Sequence, residues 1–249
     1  MTWILAAMLL GATASTAEIT TPAPWRVVDD PTDDLVVAPP EPLADCDTRL
    51  AAAGVRWSAS RVPVHTKGKG PGAILCGAEQ IVKYKGSGAK IRWSSAPKVT
   101  CTMALALERF EAIVQEEAEH HLGRRVTRIS HIGTYACREM AAYPGWVSEH
   151  SYANAIDIAS FELVGGREVS VLRDYGRADA EAPNARARFL RAVARRAFDD
   201  EVFAVVLTPA FDRAHRNHFH LDHARYRVDG ASPEPWSDAA VDLAASPSE

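Results

Sequence analysis

The chain has 249 residues and a formal net charge of −4, which gives no basic footprint for nucleic acid. It also carries no P-loop, no dinucleotide-binding motif and no Gly-x-Ser-x-Gly elbow, which argues against a nucleotide-dependent enzyme or a serine hydrolase. The length allows one domain with a proper core together with flanking segments.

The chain opens with an apolar run, W-I-L-A-A-M-L-L-G-A at residues 3–12, followed by S-T-A at residues 15–17. An apolar run bounded by small residues is typical of a signal peptide, and we place it at residues 1–17 although a basic first segment is lacking. With about 10 to 14 apolar residues it is too short to span a bilayer stably. We therefore expect a secreted or periplasmic protein without stable membrane insertion.

Residues 18–42 are predicted to form a proline-rich, acidic linker. Six prolines fall between the signal peptide and Cys46, and such a composition buries too little apolar surface to offset the cost of ordering. Residues 229–249, rich in Ala, Ser, Pro and Asp, are expected to be a flexible tail. A single folded domain then spans residues 43–228.

The four cysteines are Cys46, Cys76, Cys101 and Cys137. They are even in number and lie outside the histidine-containing motifs, which favours disulfides over metal ligation. Four cysteines allow three connectivities. Sequence order favours Cys46 with Cys76 and Cys101 with Cys137, and the second pair would tether the start of a helix to the segment that carries Arg138.

Apolar spacing predicts two helices in the domain. Thr102 can cap a helix that runs to about His121 and that Gly123 closes, and Pro183 can start a second helix that runs to about Phe198. The outer face of the second helix is rich in arginine. It is read as a solvated face, with attraction to an anionic wall polymer as the alternative.

Strands are predicted from alternation and short apolar runs at residues 125–129, 156–161, 168–172, 202–207 and 218–220. His65 is expected in a loop rich in Lys and Gly. The order of the elements predicts an α+β domain with a central antiparallel sheet flanked by helices.

One group of residues has the composition of a zinc site. A catalytic zinc ion usually takes three ligands from His, Asp and Glu, and His150, Asp157 and one histidine of the H-F-H pair at residues 218–220 supply that number. The spacing of His150 and Asp157 is too long for one helical face, so strands and a turn must assemble the site. Asp157 faces away from its apolar neighbours in a strand, and both histidines of the pair share a face.

The motifs together resemble a known family. S-E-H-S-Y-A-N-A-I-D at residues 148–157 and H-F-H-L-D at residues 218–222 resemble the LAS metallopeptidases, the group of lysostaphin, D-Ala-D-Ala peptidases and hedgehog. With Y-A-C-R at residues 135–138 they look more narrowly like the extensin-like C-terminal domain family, over roughly residues 43–225. One departure is Ala153, where many LAS enzymes have Gly.

The resemblance implies a LAS/hedgehog-like fold and assigns roles to individual residues. It makes His150, Asp157 and His220 the ligands of one zinc ion, with His218 beside them as the proton acceptor. It also matches Arg138 to the arginine that meets the substrate's carbonyl or carboxylate.

Two further side chains are candidates. Ser148 can bond the substrate or orient His150, and the sequence leaves both readings open. His215 is the candidate for a second base or for a residue that orients a ligand.

The resulting hypothesis is a zinc-dependent peptidase that hydrolyses an amide bond in short peptides, with peptidoglycan stem peptides or cross-links as the substrate. The substrate class comes from the resemblance alone. The alternative is a non-hydrolytic cell-wall-binding module that keeps the zinc ion, as the hedgehog branch of the resemblance suggests.

Overall fold

The computed structural model describes residues 38–231 except 142, 144, 178 and 179. The predicted signal peptide, most of the predicted linker and all but the first residues of the predicted tail lie outside this range. The described chain contains four α-helices: α1 Cys46–Ala52, α2 Cys101–Leu122, α3 Val171–Asp174 and α4 Ala185–Asp199.

Ten strands of the described chain form two sheets. They are β1 Trp57–Lys67, β2 Ile74–Tyr84, β3 Arg92–Trp93, β4 Lys98–Thr100, β5 Val126–Gly133, β6 Ala155–Leu163, β7 Glu168–Ser170, β8 Val205–Leu207, β9 Phe219–Asp222 and β10 Val228–Gly230. The smaller sheet has the order β1-β2-β4, and the larger has the order β10-β8-β9-β6-β5-β3, with β7 beside β6.

The α+β class is confirmed, but a purely antiparallel sheet was the wrong prediction. β3 pairs with β5 in parallel, and so does β10 with β8. The parallel pair β3 and β5 follows from connectivity, because α2 lies between these strands in the chain and carries it back to the same end of the sheet. The larger sheet is therefore mixed.

Helices α2 and α4 cover one face of the larger sheet and make the main core with it. Phe161 of β6 lies at its centre, with its ring 6.5 Å from that of Phe110 in α2 and 5.3 Å from that of Phe189 in α4. Ile156 and Ile158 of β6 are fully buried on this same side. Because side chains alternate along a strand, Asp157 between them is directed to the opposite face.

The helix boundaries follow their caps. The N-cap of α2 is Thr100 rather than the predicted Thr102, because the hydroxyl of Thr100 accepts from the amide of Met103. Gly123 closes α2 with φ of 59°, as predicted. Asn184 caps α4 and accepts from two backbone amides, one residue after the predicted start.

Two strand predictions needed correction. Residues 171 and 172 begin α3 rather than continuing a strand, because Asp174 accepts from the amide of Ser170 and turns the chain. Val202 and Phe203 do not belong to β8, because both amides donate to the carbonyl of Ala197 at the end of α4.

His65 lies in β1 rather than in a loop. The long hairpin of β1 and β2 was not predicted from the sequence. Its outer strand is mostly exposed, and its register shifts twice, so no clean alternation of apolar residues marks it.

The disulfide pairing favoured by sequence order was wrong. Cys46 pairs with Cys101 and Cys76 pairs with Cys137. The first bond joins α1 to the start of α2, which pack against each other in the main core. The second joins β2 to the segment that carries Arg138. A neighbouring residue, Gly77, has φ of 87°, and a Cβ there would clash with the carbonyl of Pro63.

The arginine-rich face of α4 is paired with acidic groups. Arg196 bonds to Glu116 and Glu117 of α2, and Arg195 bonds to Asp199 and Asp229. These ion pairs within the protein favour the prediction of a solvated face over that of a site for an anionic polymer. Within the described part of the chain, no helix is long and apolar enough to cross a membrane.

Candidate metal centre

The pairing of β6 with β9 brings two of the predicted ligands together. Asp157 is the direct antiparallel partner of His220, and such partners project to the same face of a sheet. Phe219 beside His220 is fully buried in the main core, as the sequence predicts. His150 reaches the same place from a short 3₁₀ turn, Glu149–Tyr152, that precedes β6.

The three predicted ligands form a nearly equilateral triangle. The Nε2 atom of His150, the Oδ1 atom of Asp157 and the Nδ1 atom of His220 are each 3.1 Å from the other two. A tetrahedral zinc ion with bonds of about 2.0–2.1 Å separates its donors by about 3.3 Å. Two imidazole nitrogens and one carboxylate oxygen at this spacing therefore fit a zinc ion.

A second group of potential ligands does not fit a metal. His65, Cys76 and Cys137 also lie close together in the described chain. The two sulfurs form a disulfide bond with each other, however, and so offer no thiolate. The triangle of His150, Asp157 and His220 is the better candidate.

The charges of the triangle depend on one another. Burial would raise the pKa of Asp157, but hydrogen bonds from His150 and His220 outweigh it and hold that pKa well below its ordinary value. Burial would lower the pKa of His220, but its bonds to Asp157 and Asp222 raise it to about 10. The carboxylate at the centre therefore stays ionised.

Asp222 holds His220 in place. Its Oδ2 atom lies 2.8 Å from the Nε2 atom of His220, so the Nδ1 atom of that ring is left to face the triangle. The other oxygen of Asp222 accepts from the amide of Ala224 at 2.9 Å. Asp222 belongs to the H-F-H-L-D motif, but the sequence assigned it no role. Its position two residues after His220, on the same strand face, could have indicated that it contacts this histidine.

A buried polar network supports the turn that carries His150. Asn154 donates to the carboxyl of Glu149 at 2.7 Å and accepts from the hydroxyl of Thr100. Burial, followed by the charge of Asp222, raises the pKa of Glu149 to about 8. The sequence gave no periodic signal for this network, because its members come from three separate segments.

The same turn ends in a left-handed residue. Ala153 has φ of 54° and ψ of 30° and is fully buried against Val62, Ala78 and Ile81. Glycine adopts this conformation at lower cost than alanine. The departure from the LAS pattern noted at Ala153 therefore falls at a position where the backbone itself favours Gly.

His218 lies immediately before β9 rather than within it. Its Nε2 atom is 3.5 Å from the Oδ1 atom of Asp157, and its Nδ1 atom is 3.0 Å from the Oδ1 atom of Asn217. The carbonyl oxygen of Asn217 can only accept, so this contact is a hydrogen bond in the tautomer with the proton on Nδ1, which leaves a lone pair on Nε2. Burial is the main cause that lowers the pKa of His218 to about 4.

His215 lies close to the same group. Its ring is 5.2 Å from that of His218 and 5.9 Å from that of His220. Its Nδ1 atom is 2.7 Å from the carboxylate of Asp212. Burial opposes ionisation of Asp212, but the bond from His215 outweighs it and lowers the pKa of that carboxyl.

The structure does not join the side chain of Arg138 to the triangle. Its guanidinium is exposed and donates to the carbonyl of Glu139. Its backbone, in contrast, is bound to the His150 turn, because its carbonyl accepts from the amide of Ser148 and from the hydroxyl of Ser151. Ser148 is buried at the N-cap of that turn, and its own side chain makes no capping bond.

A family profile described as "Extensin-like protein C-terminus" matches residues 44–231. The chain belongs to this family. The match spans both sheets, both disulfides and every residue of the triangle. No curated protein and no solved structure matches the chain.

The covalent structure of this extensin-like domain bears on its environment. All four cysteines are paired in disulfides, which persist in oxidising compartments. This is consistent with an extracellular or periplasmic location.

Proposed function

We propose that this extensin-like domain is a zinc-dependent peptidase related to the LAS metallopeptidases. It would hydrolyse an amide bond in short peptides, with peptidoglycan stem peptides or cross-links as the substrate. The observation that carries the proposal is the triangle of His150, Asp157 and His220, with the Nε2 atom of His218 only 3.5 Å from its carboxylate.

In this proposal His150, Asp157 and His220 hold the zinc ion. Zinc supplies Lewis acidity, which polarises a carbonyl and acidifies water near neutral pH. The residues around the proposed zinc site hold its ligands in place. Asp222 fixes the ring of His220 so that Nδ1 faces the place where a zinc ion would bind, and the buried turn of Ser148 to Ala153 fixes His150.

The proposed role of His218 is that of general base. Its Nε2 atom can accept a proton, because Nδ1 donates to Asn217 and the ring is neutral at pH 7. After accepting a proton at Nε2, the same atom can return it to the leaving amine. A purely structural metal site would not require a neutral imidazole at this position.

One observation favours the alternative, a zinc-containing wall-binding module without hydrolytic activity. The side chain of Arg138, matched by resemblance to the arginine that meets the substrate, is exposed and bonds to Glu139 instead. A peptidase reading requires this side chain, or another cation, to reach the substrate.

Mass analysis of peptidoglycan fragments incubated with the protein distinguishes the two functions. The peptidase proposal expects new termini from wild type and stoichiometric zinc in the protein. His220→Ala should lose the zinc, whereas His218→Ala should keep it and lose most turnover. Stoichiometric zinc in wild type with no cleaved product from any stem peptide would favour the binding module.

A further inference from the structure

A groove of about 540 Å³ runs between the two sheets. One wall is β1 of the smaller sheet, and the other is the end of β5 of the larger sheet. Its lining combines cationic, hydroxyl-bearing and apolar side chains: Arg61, Val62, Pro63, Ser95, Lys98, His131, Ile132, Gly133, Thr134 and Tyr135.

The formally charged side chains that line this groove are positive. Arg61 and Lys98 stand in its lining, and none of its ten lining residues carries a carboxylate. Both cations are exposed, and neither has an ion-pair partner among the described residues. Two free cations in one concave surface attract an anionic group.

One residue of the groove lining lies beside the candidate metal centre. Gly133 in this lining is the strand partner of Asp157, and a Cβ placed on Gly133 would lie 3.5 Å from the Oδ2 atom of Asp157. With no side chain at Gly133, nothing on that residue separates the groove from the carboxylate. A ligand that lies along Gly133 in the groove would therefore be next to the carboxylate of Asp157.

The end of β5 also offers a free edge. β3 pairs with β5 at Arg128 and Ile129, and the amide of His131 is taken by the hydroxyl of Ser94. Beyond this point no strand of the described chain covers residues 132 and 133 on that side. An extended peptide can add to such an edge through its backbone.

We infer that this groove binds an extended peptide segment bearing a carboxylate, with Arg61 and Lys98 holding the carboxylate. The inference rests on the proposed peptidase function and names the acidic character of its substrate. A polyanionic polymer is a poorer match, because it would need a run of cations. Here two cations are set among the apolar Val62 and Ile132 and the hydroxyls of Ser95 and Thr134.

The test compares two forms of one synthetic peptide, a peptidoglycan stem tetrapeptide with its carboxylates free and the same peptide with its carboxylates amidated. Binding to the protein as isolated is measured by calorimetry, so the result does not depend on cleavage. Wild type should bind the free form at least about tenfold more tightly, as charge-assisted hydrogen bonds require. The double variant Arg61→Gln/Lys98→Gln should lose that preference.

A matched control removes the same net charge outside the groove. Arg49→Gln/Lys85→Gln changes two exposed cations that do not line it, and its affinity should stay within about twofold of wild type. Equal affinity of the groove variant and wild type for the free form would overturn the inference. The inference would also be overturned if neither peptide bound at millimolar concentration. It would equally be overturned if polyphosphate displaced the bound peptide at a lower concentration than an excess of the same peptide does.

Cleavage of the same peptides is assayed separately. Preferential binding of the free form without any cleavage would leave the groove assignment standing and count against the peptidase. Cleavage of both forms with equal KM would count against the groove assignment alone.

Discussion

Replacing Asp222 by asparagine should weaken zinc binding through the ring that it orients. The two oxygens of Asp222 accept from the Nε2 atom of His220 at 2.8 Å and from the amide of Ala224 at 2.9 Å. An asparagine side chain has only one acceptor oxygen, so one of these two donors must face an amide N–H. Either His220 loses its orientation or a buried backbone donor is left unpaired.

The magnitude follows from these contacts. Loss of an outer hydrogen bond to a ligating histidine lowers metal affinity about 10- to 100-fold, which corresponds to about 1.4–2.7 kcal/mol. A buried donor left unpaired costs about 1–3 kcal/mol of folding stability. Competition with a chromophoric chelator measures the zinc Kd of Asp222→Asn, and urea unfolding measures its stability.

Asp212→Asn is the matched control. Asp212 holds His215 through bonds to its ring and its amide, but His215 is not a proposed ligand. The zinc Kd of Asp212→Asn should therefore stay within about twofold of the wild-type value. An unchanged Kd together with an unchanged free energy of unfolding for Asp222→Asn, or equal losses of zinc affinity in the two variants, would refute the assignment of His220 as a ligand held by Asp222.

Three further predictions concern stability. The double variant Cys76→Ala/Cys137→Ala opens a loop with a sequence separation of 61 residues. Its free energy of unfolding should fall by about 4 kcal/mol because the unfolded chain gains entropy. Urea unfolding against wild type measures this, and a loss below about 1 kcal/mol would contradict it. Ala153→Gly removes the backbone strain of a left-handed alanine, about 1–2 kcal/mol, but it also removes a buried methyl group that stabilises the fold by about 1 kcal/mol. The melting temperature of this variant should therefore move by only a few degrees. A loss of stability above about 3 kcal/mol would show that the strain is absent. Burial raises the pKa of Glu111 above its ordinary value of 4.5, so the stability that this group contributes is fully present below about pH 4.5 and is lost as the pH rises through its folded pKa. The stability of wild type relative to Glu111→Gln, measured by urea unfolding, should therefore fall as the pH rises from about 4.5, and a rise would contradict the sign.

The sequence predicted the part of the candidate site that depends on strand periodicity. Asp157 lies between two buried isoleucines, and His220 follows the buried Phe219, so alternation alone directed both side chains away from the core. That strands assemble the site was also expected. Their direct register, Asp157 opposite His220, is a finding of the structure.

What the sequence did not predict depends on contacts between distant segments. The disulfide partners were misassigned because order along the chain does not report which elements pack together, and Cys76 lies in the hairpin strand β2, 61 residues before its partner Cys137. Arg138 was placed by resemblance, yet local bonds direct its guanidinium to Glu139. Asn154 was missed because its partners come from separate segments.

The bond between Cys76 and Cys137 links the candidate site to the compartment in which the protein is made. Lys67 of the same hairpin also donates to the carbonyl of Cys137, at 2.7 Å, so the hairpin and the segment before the His150 turn are joined covalently and by a hydrogen bond. Material produced in a reducing cytosol would lack this covalent tie beside the metal centre, and it would also lack the Cys46–Cys101 bond within the helix-covered core. Thiol titration must therefore precede any assay in which inactivity is taken as evidence about function.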